Sequence, residues 1–398
     1  MLGDLSLKRF AVVGAGTMGH GIAQLLAMAG FEVTLVDVSD EALRRAMDKI
    51  AWSLGKLAEK RRVKEEEVNV IKSRIRATVN LEEAVKEADF VVEAVPEDLE
   101  LKKRVFSAID KAAPKHAILA TNTSSLSITE LSKVTRRPDK VVGVHFFNPP
   151  VLMELVEVVK GDYTSDETVN VTLELTRKLG KKPILVKKDV RGFIVNRVLL
   201  SMFNDVCWAI HRGEAAMEAV DATIKYKAGL LMGAFELADY LGLDVAYSVS
   251  KVIEEAYGGR AKTCPLLEKL IKEGKLGQKT GAGFYDWSVG RPRIPFHLAG
   301  KFDVQRVYSV AVNEAAWLIH EGVAEPNDID TAMKLGAAWP SGPCELGDRI
   351  GLDVVISKLK ELYAKHGAEM YKPCPLLEEY VSKGWLGRKS GRGFYSYG

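Results

Sequence analysis

The stretch that most constrains this chain is "FAVVGAGTMGHGIAQ", residues 10–24. Arg9 to Val13 reads as a short buried strand. Gly14-Ala15-Gly16-Thr17-Met18-Gly19 follows it, and "HGIAQLLAMAG" then has helical character. Strand, GxGxxG and helix in that order are the context a dinucleotide fold requires. Gly14 permits the tight turn, Gly16 lets the backbone approach a pyrophosphate, and Gly19 lets helix and strand pack closely. The loop, with Thr17 and Met18 in it, opens on a helix N-terminus, where N–H groups and the positive dipole end attract an anion. Gly30 ends the helix, and "EVTLVD" is a second strand closing on Asp37. A GxGxxG alone is weak. Asp37 strengthens it, because a carboxylate roughly 20 residues beyond the loop, at the tip of the second strand, binds both ribose hydroxyls. It repels a 2′-phosphate, and no arginine directly follows, so the cofactor reads as NAD and not NADP. The plainer reading of Asp37 is a solvated strand end.

Further strands are expected at "ADFVVEAV" (88–95), "AILATNTS" (117–124) and "KVVGVHFFN" (140–148), separated by helical stretches. This alternation predicts an α/β, Rossmann-like doubly wound sheet whose ligands sit at the strand C-termini. Glu93, Asn122, Ser124, His145 and Asn148 are therefore expected to face the cofactor crevice. The balance of charge fits no polyanionic partner: 56 Lys and Arg against 53 Asp and Glu give +3, and a nucleic-acid binder is usually clearly basic. No apolar run approaches the roughly 20 residues of a membrane helix, and the apolar Phe10–Val13 is too short for a signal peptide. The four cysteines lie far apart without a CxxC. That argues against a structural metal site and for a reducing, cytoplasmic home.

His145 lies in the nearly apolar "VVGVHFFNPP", where a lone histidine is more often a satisfied core residue than a catalyst. The next strand, "LMELVEVV" (152–159), changes the weighing. With period 2, Leu155, Glu157 and Val159 share a face. An acid between two aliphatic neighbours is costly unless paired, and His145 stands just across the "NPP" bend. Beside a nicotinamide, the imidazole would take the proton of an alcohol as hydride leaves the same carbon. The carboxylate would fix the tautomer and stabilise the imidazolium. A structural buried pair is the other reading. Ser124 ends its strand and can hydrogen-bond the reacting oxygen; alternatively Thr123, Ser124 or Ser125 merely caps "SITELSK". Asn196, near the first turn of a helix apolar almost all round, needs partners for its amide. The reacting oxygen would be one.

These residues resemble a known family, the L-3-hydroxyacyl-CoA dehydrogenases. The likeness runs through "GAGTMGHGIAQ", "VVEAVPEDLELKKRVF", "ATNTSSLSIT", "GVHFFNPPVLMELVE", "GFIVNR" and two copies of "GxGFY", over essentially the whole chain. The resemblance implies His145 as base, Glu157 as its orienter, and Ser124 and Asn196 as substrate-oxygen contacts. It implies Asp37, Glu93, Asn122, Asn148 and Lys279 as cofactor contacts. Coenzyme A would run along the helical arm after Asp37, where Ser53 and Lys60 match the family's contacts by position. Lys56, Lys60, Arg61 and Arg62 form a basic cluster suited to its phosphates, although for Arg61 and Arg62 a solvated helix face is the better reading.

After residue 190 the chain repeats itself. "RVLLSMFNDVCWAIHRG" (197–213) aligns with "RVYSVAVNEAAWLIHEG" (306–322), "ELADYLGLD" with "ELGDRIGLD", and "LGQKTGAGFY" with "LGRKSGRGFY". Two units are too few for a solenoid. They read as two all-helical domains, giving limits of 1–190 for the NAD-binding domain, then 191–295 and 296–398. The resemblance implies that the second copy packs on the first as a built-in partner, making a monomer with an internal pseudo-dimer, or else a homodimer. Relatives of this type can carry an enoyl-CoA hydratase, fused or associated. Arg191 stands where the family usually has proline, and "KYKAGLLMGAFELADY" departs from the commoner form that the second copy keeps. These departures leave acyl length and oligomeric state open. The expected reaction is NAD-dependent, reversible oxidation of an L-3-hydroxyacyl-CoA. The rivals are a dehydrogenase of a free hydroxy acid or sugar acid, separated by CoA dependence, and a non-catalytic NAD-binding structural protein. The intact Ser124, His145, Glu157 and Asn196 set speaks against the latter.

With Asp37 at the ribose, kcat/KM is expected to favour NAD over NADP by roughly tenfold or more, the effect of about 1.4 kcal/mol. Comparable values with the two cofactors would refute this role for Asp37.

Overall fold

The computed structural model describes residues 7–398, so the first six residues of the expected 1–190 domain lie outside it. The chain divides into two compact units, Met1–Asp189 and Val190–Gly398.

The first unit is one eight-stranded sheet: β1 (Arg9–Val13), β2 (Glu32–Val36), β3 (Ile75–Thr78), β4 (Phe90–Glu93), β5 (Ile118–Thr121), β6 (Val141–Phe146), β7 (Leu155–Val159) and β8 (Lys182–Val186). The spatial order is β3-β2-β1-β4-β5-β6-β7-β8. All pairs are parallel except β6 and β7, which are antiparallel across the Asn148–Pro149 bend. This is the α/β Rossmann-type sheet expected. The strand order turns at β1 and β4, the switch point where doubly wound sheets bind ligands. Helices α1 (Gly19–Met28), α2 (Asp40–Glu59), α3 (Glu65–Ser73), α4 (Leu81–Val85), α5 (Leu99–Ala112), α6 (Ile128–Ser132) and α7 (Asp166–Lys178) connect the strands. Strands β4 to β7 are buried throughout, which is why they read as mostly apolar runs, broken by Glu93, His145 and Glu157, instead of alternating ones. Their core continues into α1 and α2 through Ile22, Leu26, Leu43 and Ile50. Two strands escaped the sequence reading. β3 ("IRAT") and β8 ("KPILV") are short edge strands with mixed exposure, so neither carries a strong pattern.

The second unit is helical and built twice. Its first copy holds α8 (Val195–His211), α9 (Met217–Tyr226), α10 (Ala234–Leu241), α11 (Leu243–Tyr257) and α12 (Pro265–Lys272). The second holds α13 (Val304–His320), α14 (Pro326–Gly336), α15 (Pro343–Ile350), α16 (Leu352–His366) and α17 (Pro375–Ser382). The two long leading helices have 17 residues each and pack on one another. Buried aspartates explain the duplicated motifs. Asp221 accepts the N–H groups of Phe235 and Glu236 at the start of α10 and the hydroxyl of Tyr285 (3.0 Å). Asp330 does the same with Cys344, Glu345 and Tyr395 (2.7 Å). Asp239 accepts from the N–H groups of Phe284 and Tyr285 and from the Trp287 indole, and Asp348 from Phe394, Tyr395 and Tyr397. Each "GFY" is thus a lid whose backbone and phenol satisfy two buried carboxylates. Among the described residues, no helix is long and apolar enough to cross a membrane.

Burial pushes the Asp221 carboxyl up to about 7, against the pull of its three donors. Its folded value lies above the ordinary 3.8, so stability falls as pH rises between the two. Tyr285→Phe removes a donor that the ionised form needs and raises the folded value further. It is expected to cost about 1–3 kcal/mol, and more above pH 7 than at pH 6. Urea unfolding at the two pH values measures this; a pH-independent cost would contradict it.

Candidate active site

The Gly-rich loop is shaped by three glycines with different duties. Gly14 has φ +104°, and a Cβ there would lie 2.6 Å from the Ala94 carbonyl oxygen; one on Gly19 would lie 1.7 Å from that of Gly14. Both are packing glycines. A Cβ on Gly16 meets nothing within 4 Å. Gly16 and Thr17 are exposed and Met18 is half-buried at the N-cap of α1, where no side chain caps the helix. An open approach to an uncapped helix N-terminus suits a pyrophosphate. Asp37 stands at the rim of the same loop. Its Oδ2 accepts the Ala15 N–H at 2.8 Å and its Oδ1 the Ser39 N–H at 3.2 Å, so the carboxylate is fixed against the loop it is expected to serve. These residues fit a dinucleotide.

Glu93, at the end of β4, has a fully buried side chain directed into the protein. Oε1 accepts the Val95 N–H and the Lys102 ammonium, both at 2.7 Å, and Oε2 accepts the Thr121 hydroxyl at 2.7 Å. Burial pushes this carboxyl up, and the Lys102 charge opposes the shift. Lys102, with 1% side-chain exposure, also donates to the Val95 carbonyl at 3.1 Å and lies 3.4 Å from Glu97 Oε2. Glu97 gathers the loop after β5. Its Oε1 accepts the Thr123 hydroxyl (2.5 Å), the Ser124 N–H (2.9 Å), and the Ser125 N–H and both serine hydroxyls at 3.3 Å. Burial alone would raise the Glu97 carboxyl; Lys102 and these donors hold it below its ordinary value. The sequence reading missed Glu97 and Lys102. A signal existed: Lys102 and Phe106 lie one turn apart on the buried face of α5, and a lysine there demands a carboxylate.

Ser124 is half-buried at this loop. The helix that follows is capped by Ser127, whose hydroxyl accepts the Glu130 N–H. None of Thr123, Ser124 and Ser125 is therefore its cap. Asn122 Oδ1 accepts the Phe146 N–H at 2.9 Å, tying the end of β5 to the end of β6, and Asn148 is exposed beside its cis bond to Pro149.

His145 and Glu157 are direct cross-strand partners in the β6–β7 register. His145 Nδ1 lies 2.7 Å from Glu157 Oε2, with side-chain exposures of 9% and 0%. The Phe147 ring packs on the imidazole with centroids 4.5 Å apart. A carboxylate only accepts, so Nδ1 donates, and the neutral ring carries its lone pair on Nε2. On the arm, Ser53 is half-buried in α2, and Lys56 and Lys60 follow on the same side of the helix. Lys56 pairs with Glu59 at 2.8 Å, and Lys60 is exposed at the C-cap.

Two expected site residues belong to the helical unit. Asn196 is the second residue of α8 and half-buried; its counterpart Gln305 is exposed in α13. Lys279 pairs with Asp244 at 2.5 Å, and Lys389 pairs with Asp353 at 2.6 Å in the second copy, so this ion pair belongs to the repeat fold itself.

A Gly-rich loop with a carboxylate at its rim, and a buried His–Glu couple on the same sheet, define a dinucleotide-dependent oxidoreductase. Residues 9–190 match the sequence model described as 3-hydroxyacyl-CoA dehydrogenase, NAD binding domain. Residues 192–287 and 302–397 each match 3-hydroxyacyl-CoA dehydrogenase, C-terminal domain. The chain is 43% identical over 284 residues to a probable 3-hydroxybutyryl-CoA dehydrogenase of Bacillus subtilis, covering 71% of this chain and 98% of that protein. It is 34% identical over 399 residues to the fatty acid oxidation complex subunit alpha of Idiomarina loihiensis, covering 96% of this chain and 56% of that protein. A crystal structure of 3-hydroxybutyryl-CoA dehydrogenase from Escherichia coli K12 matches with a TM-score of 0.89 at 30% identity, over 96% of this chain and 100% of that one. The chain belongs to the 3-hydroxyacyl-CoA dehydrogenase family, and its cofactor is NAD.

The buried Glu93–Lys102 pair gives a prediction. Lys102→Met leaves a buried carboxylate unpaired and is expected to cost about 3–5 kcal/mol. Adding Glu93→Gln is expected to recover most of that in denaturant unfolding. A double variant no more stable than Lys102→Met would refute the pairing.

Proposed function

We propose that this chain oxidises an L-3-hydroxyacyl-CoA reversibly to the 3-ketoacyl-CoA, with His145 as general base. The observation that carries this is the 2.7 Å contact between His145 Nδ1 and Glu157 Oε2, made in cross-strand register with the carboxylate at 0% exposure. NAD, when bound, supplies the hydride acceptor. Asp37, the Gly14–Gly19 loop, Asn122, Asn148 and Lys279 hold it in this reading. Glu93 serves from beneath, by fixing Val95, Thr121 and Lys102. His145 Nε2 takes the proton of the C3 hydroxyl, and Glu157 stabilises the imidazolium that results. Ser124, held to Glu97 by its backbone N–H, turns its hydroxyl from Glu97 to the reacting oxygen when substrate binds, and Asn196 donates to the same oxygen. Ser53 and Lys60 meet the coenzyme A portion, as the family likeness implies.

The domain limits that go with this reading are 1–190, 191–295 and 296–398, and the setting is cytoplasmic. The second helical copy serves as the partner of the first within one chain. The relative from Idiomarina loihiensis, a subunit of a fatty acid oxidation complex, supports a further partner. The chemistry that produces a 3-hydroxyacyl-CoA is hydration of an enoyl-CoA, so that partner is an enoyl-CoA hydratase, fused or associated.

NADH release across free 3-hydroxybutyrate and 3-hydroxyacyl-CoAs of rising length tests the substrate class. Turnover of the free acid equal to that of the CoA esters would overturn it. His145→Gln is expected to lower kcat by about 10²–10⁴-fold. Glu157→Gln is expected to lower it by roughly 10²-fold or more with NAD binding retained. If Glu157→Gln lowers Tm and leaves kcat intact, the couple is structural.

A further inference from the structure

The two helical copies exchange buried arginines. Arg197, the third residue of α8, has 0% side-chain exposure and reaches into the second copy. Its Nε donates to Glu314 Oε1 and its Nη1 to Glu321 Oε2, both at 2.6 Å. Glu321 is braced in turn by Arg260 at 2.8 Å. Arg306, the third residue of α13, returns the exchange, donating to Asp205 Oδ1 at 2.8 Å and Glu214 Oε2 at 2.7 Å in the first copy. Arg197 and Arg306 hold equivalent places in the alignment of the copies, as do Asp205 and Glu314. The contact is therefore isologous, like the two-fold interface of a dimer, within one chain.

The two helix starts differ. Asp303 caps α13 by accepting the Gln305 N–H at 2.9 Å. At the same place α8 has Ile194, which has no side-chain oxygen. The residues before it are left-handed, Gly192 at φ 77° and Phe193 at φ 49°. A left-handed phenylalanine is strained and persists only where its surroundings fix it. Arg197 supplies such fixing: its N–H donates to the Gly192 carbonyl at 3.2 Å while its side chain is bound by two carboxylates of the second copy. Asn196 lies between this turn and this anchor, immediately before Arg197.

We infer that Glu314 and Glu321 are positioning residues for the oxidation, acting through Arg197 to fix the first turn of α8 and the Asn196 amide it carries. This rests on the reading of Asn196 as a substrate-oxygen contact. The second copy then contributes to turnover as well as to stability, although it carries Gln305 where the first has Asn196.

A double-mutant cycle in the full chain tests this. Glu314→Gln is expected to lower kcat about tenfold or more, because small misplacement of a contact group is costly, with NADH affinity unchanged. In the Asn196→Ala background the same substitution is expected to leave kcat within twofold of Asn196→Ala alone, since its effect passes through that amide. Asp205→Asn, the mirror change, is expected to lower Tm comparably and leave kcat within twofold of wild type. Glu321→Gln serves as the second variant if Glu314→Gln does not fold, and carries the same expectations. Multiplicative losses in the cycle, equal kcat losses in the mirror variants, or wild-type kcat in Glu314→Gln beside an impaired Asn196→Ala would overturn the inference alone. Wild-type kcat in Asn196→Ala would overturn the parent reading and this inference with it.

Discussion

The interaction on which this account depends is a carboxylate buried where a strand should carry an aliphatic side chain. Glu157 is fully buried between Val156 and Val158 on a strand with neighbours on both sides. An isolated charge there would be prohibitive. The antiparallel return of β7 along β6 removes the difficulty by placing His145 directly opposite. Residues 147–154 join the two strands, and a one-residue slip in their register would turn Glu157 to the other face of the sheet. The rest of the first unit serves this pairing. The parallel strands β1, β4, β5 and β6 bring the Gly-rich loop, the Glu97-bound serine loop and the imidazole to one edge of the sheet.

The same physics recurs away from the couple. Glu93 and Lys102 neutralise each other beneath the loop, and the paired arginines neutralise the seam between the helical copies. Buried ion pairs of this kind add little net stability over apolar packing, but breaking one is costly. They specify arrangement. In the helical unit each arginine finds its carboxylates only when the other copy is present in the right register, so the duplication fixes its own geometry. Asp221, Asp239, Asp330 and Asp348 work similarly inside each copy, where the "GFY" segments close over them.

Much of this was legible in the residues, for reasons of range. The Gly14–Gly19 loop, Asp37 and the strands around them are local signals, and a Cβ at Gly16 would meet open space. The His145–Glu157 pairing was readable because strand period and a short bend bring the two together. Glu93 was placed in the crevice because strand ends usually lead there, but its direction depends on Lys102, a turn into the following helix. Ser127 was not anticipated as the cap of α6, since three earlier hydroxyls compete for the role in sequence. The duplication was plain, whereas the exchange of Arg197 and Arg306 requires two helix faces to meet, which no local pattern states.

The central claim is that Glu157 sets the tautomer of His145 so that Nε2 is the proton acceptor. Nitrogen-15 NMR of the histidine-labelled enzyme tests it directly, with the His145 signals identified by their loss in His145→Gln. In the neutral ring, a protonated Nδ1 and an unprotonated Nε2 are expected. A protonated Nε2 with a bare Nδ1 would contradict it.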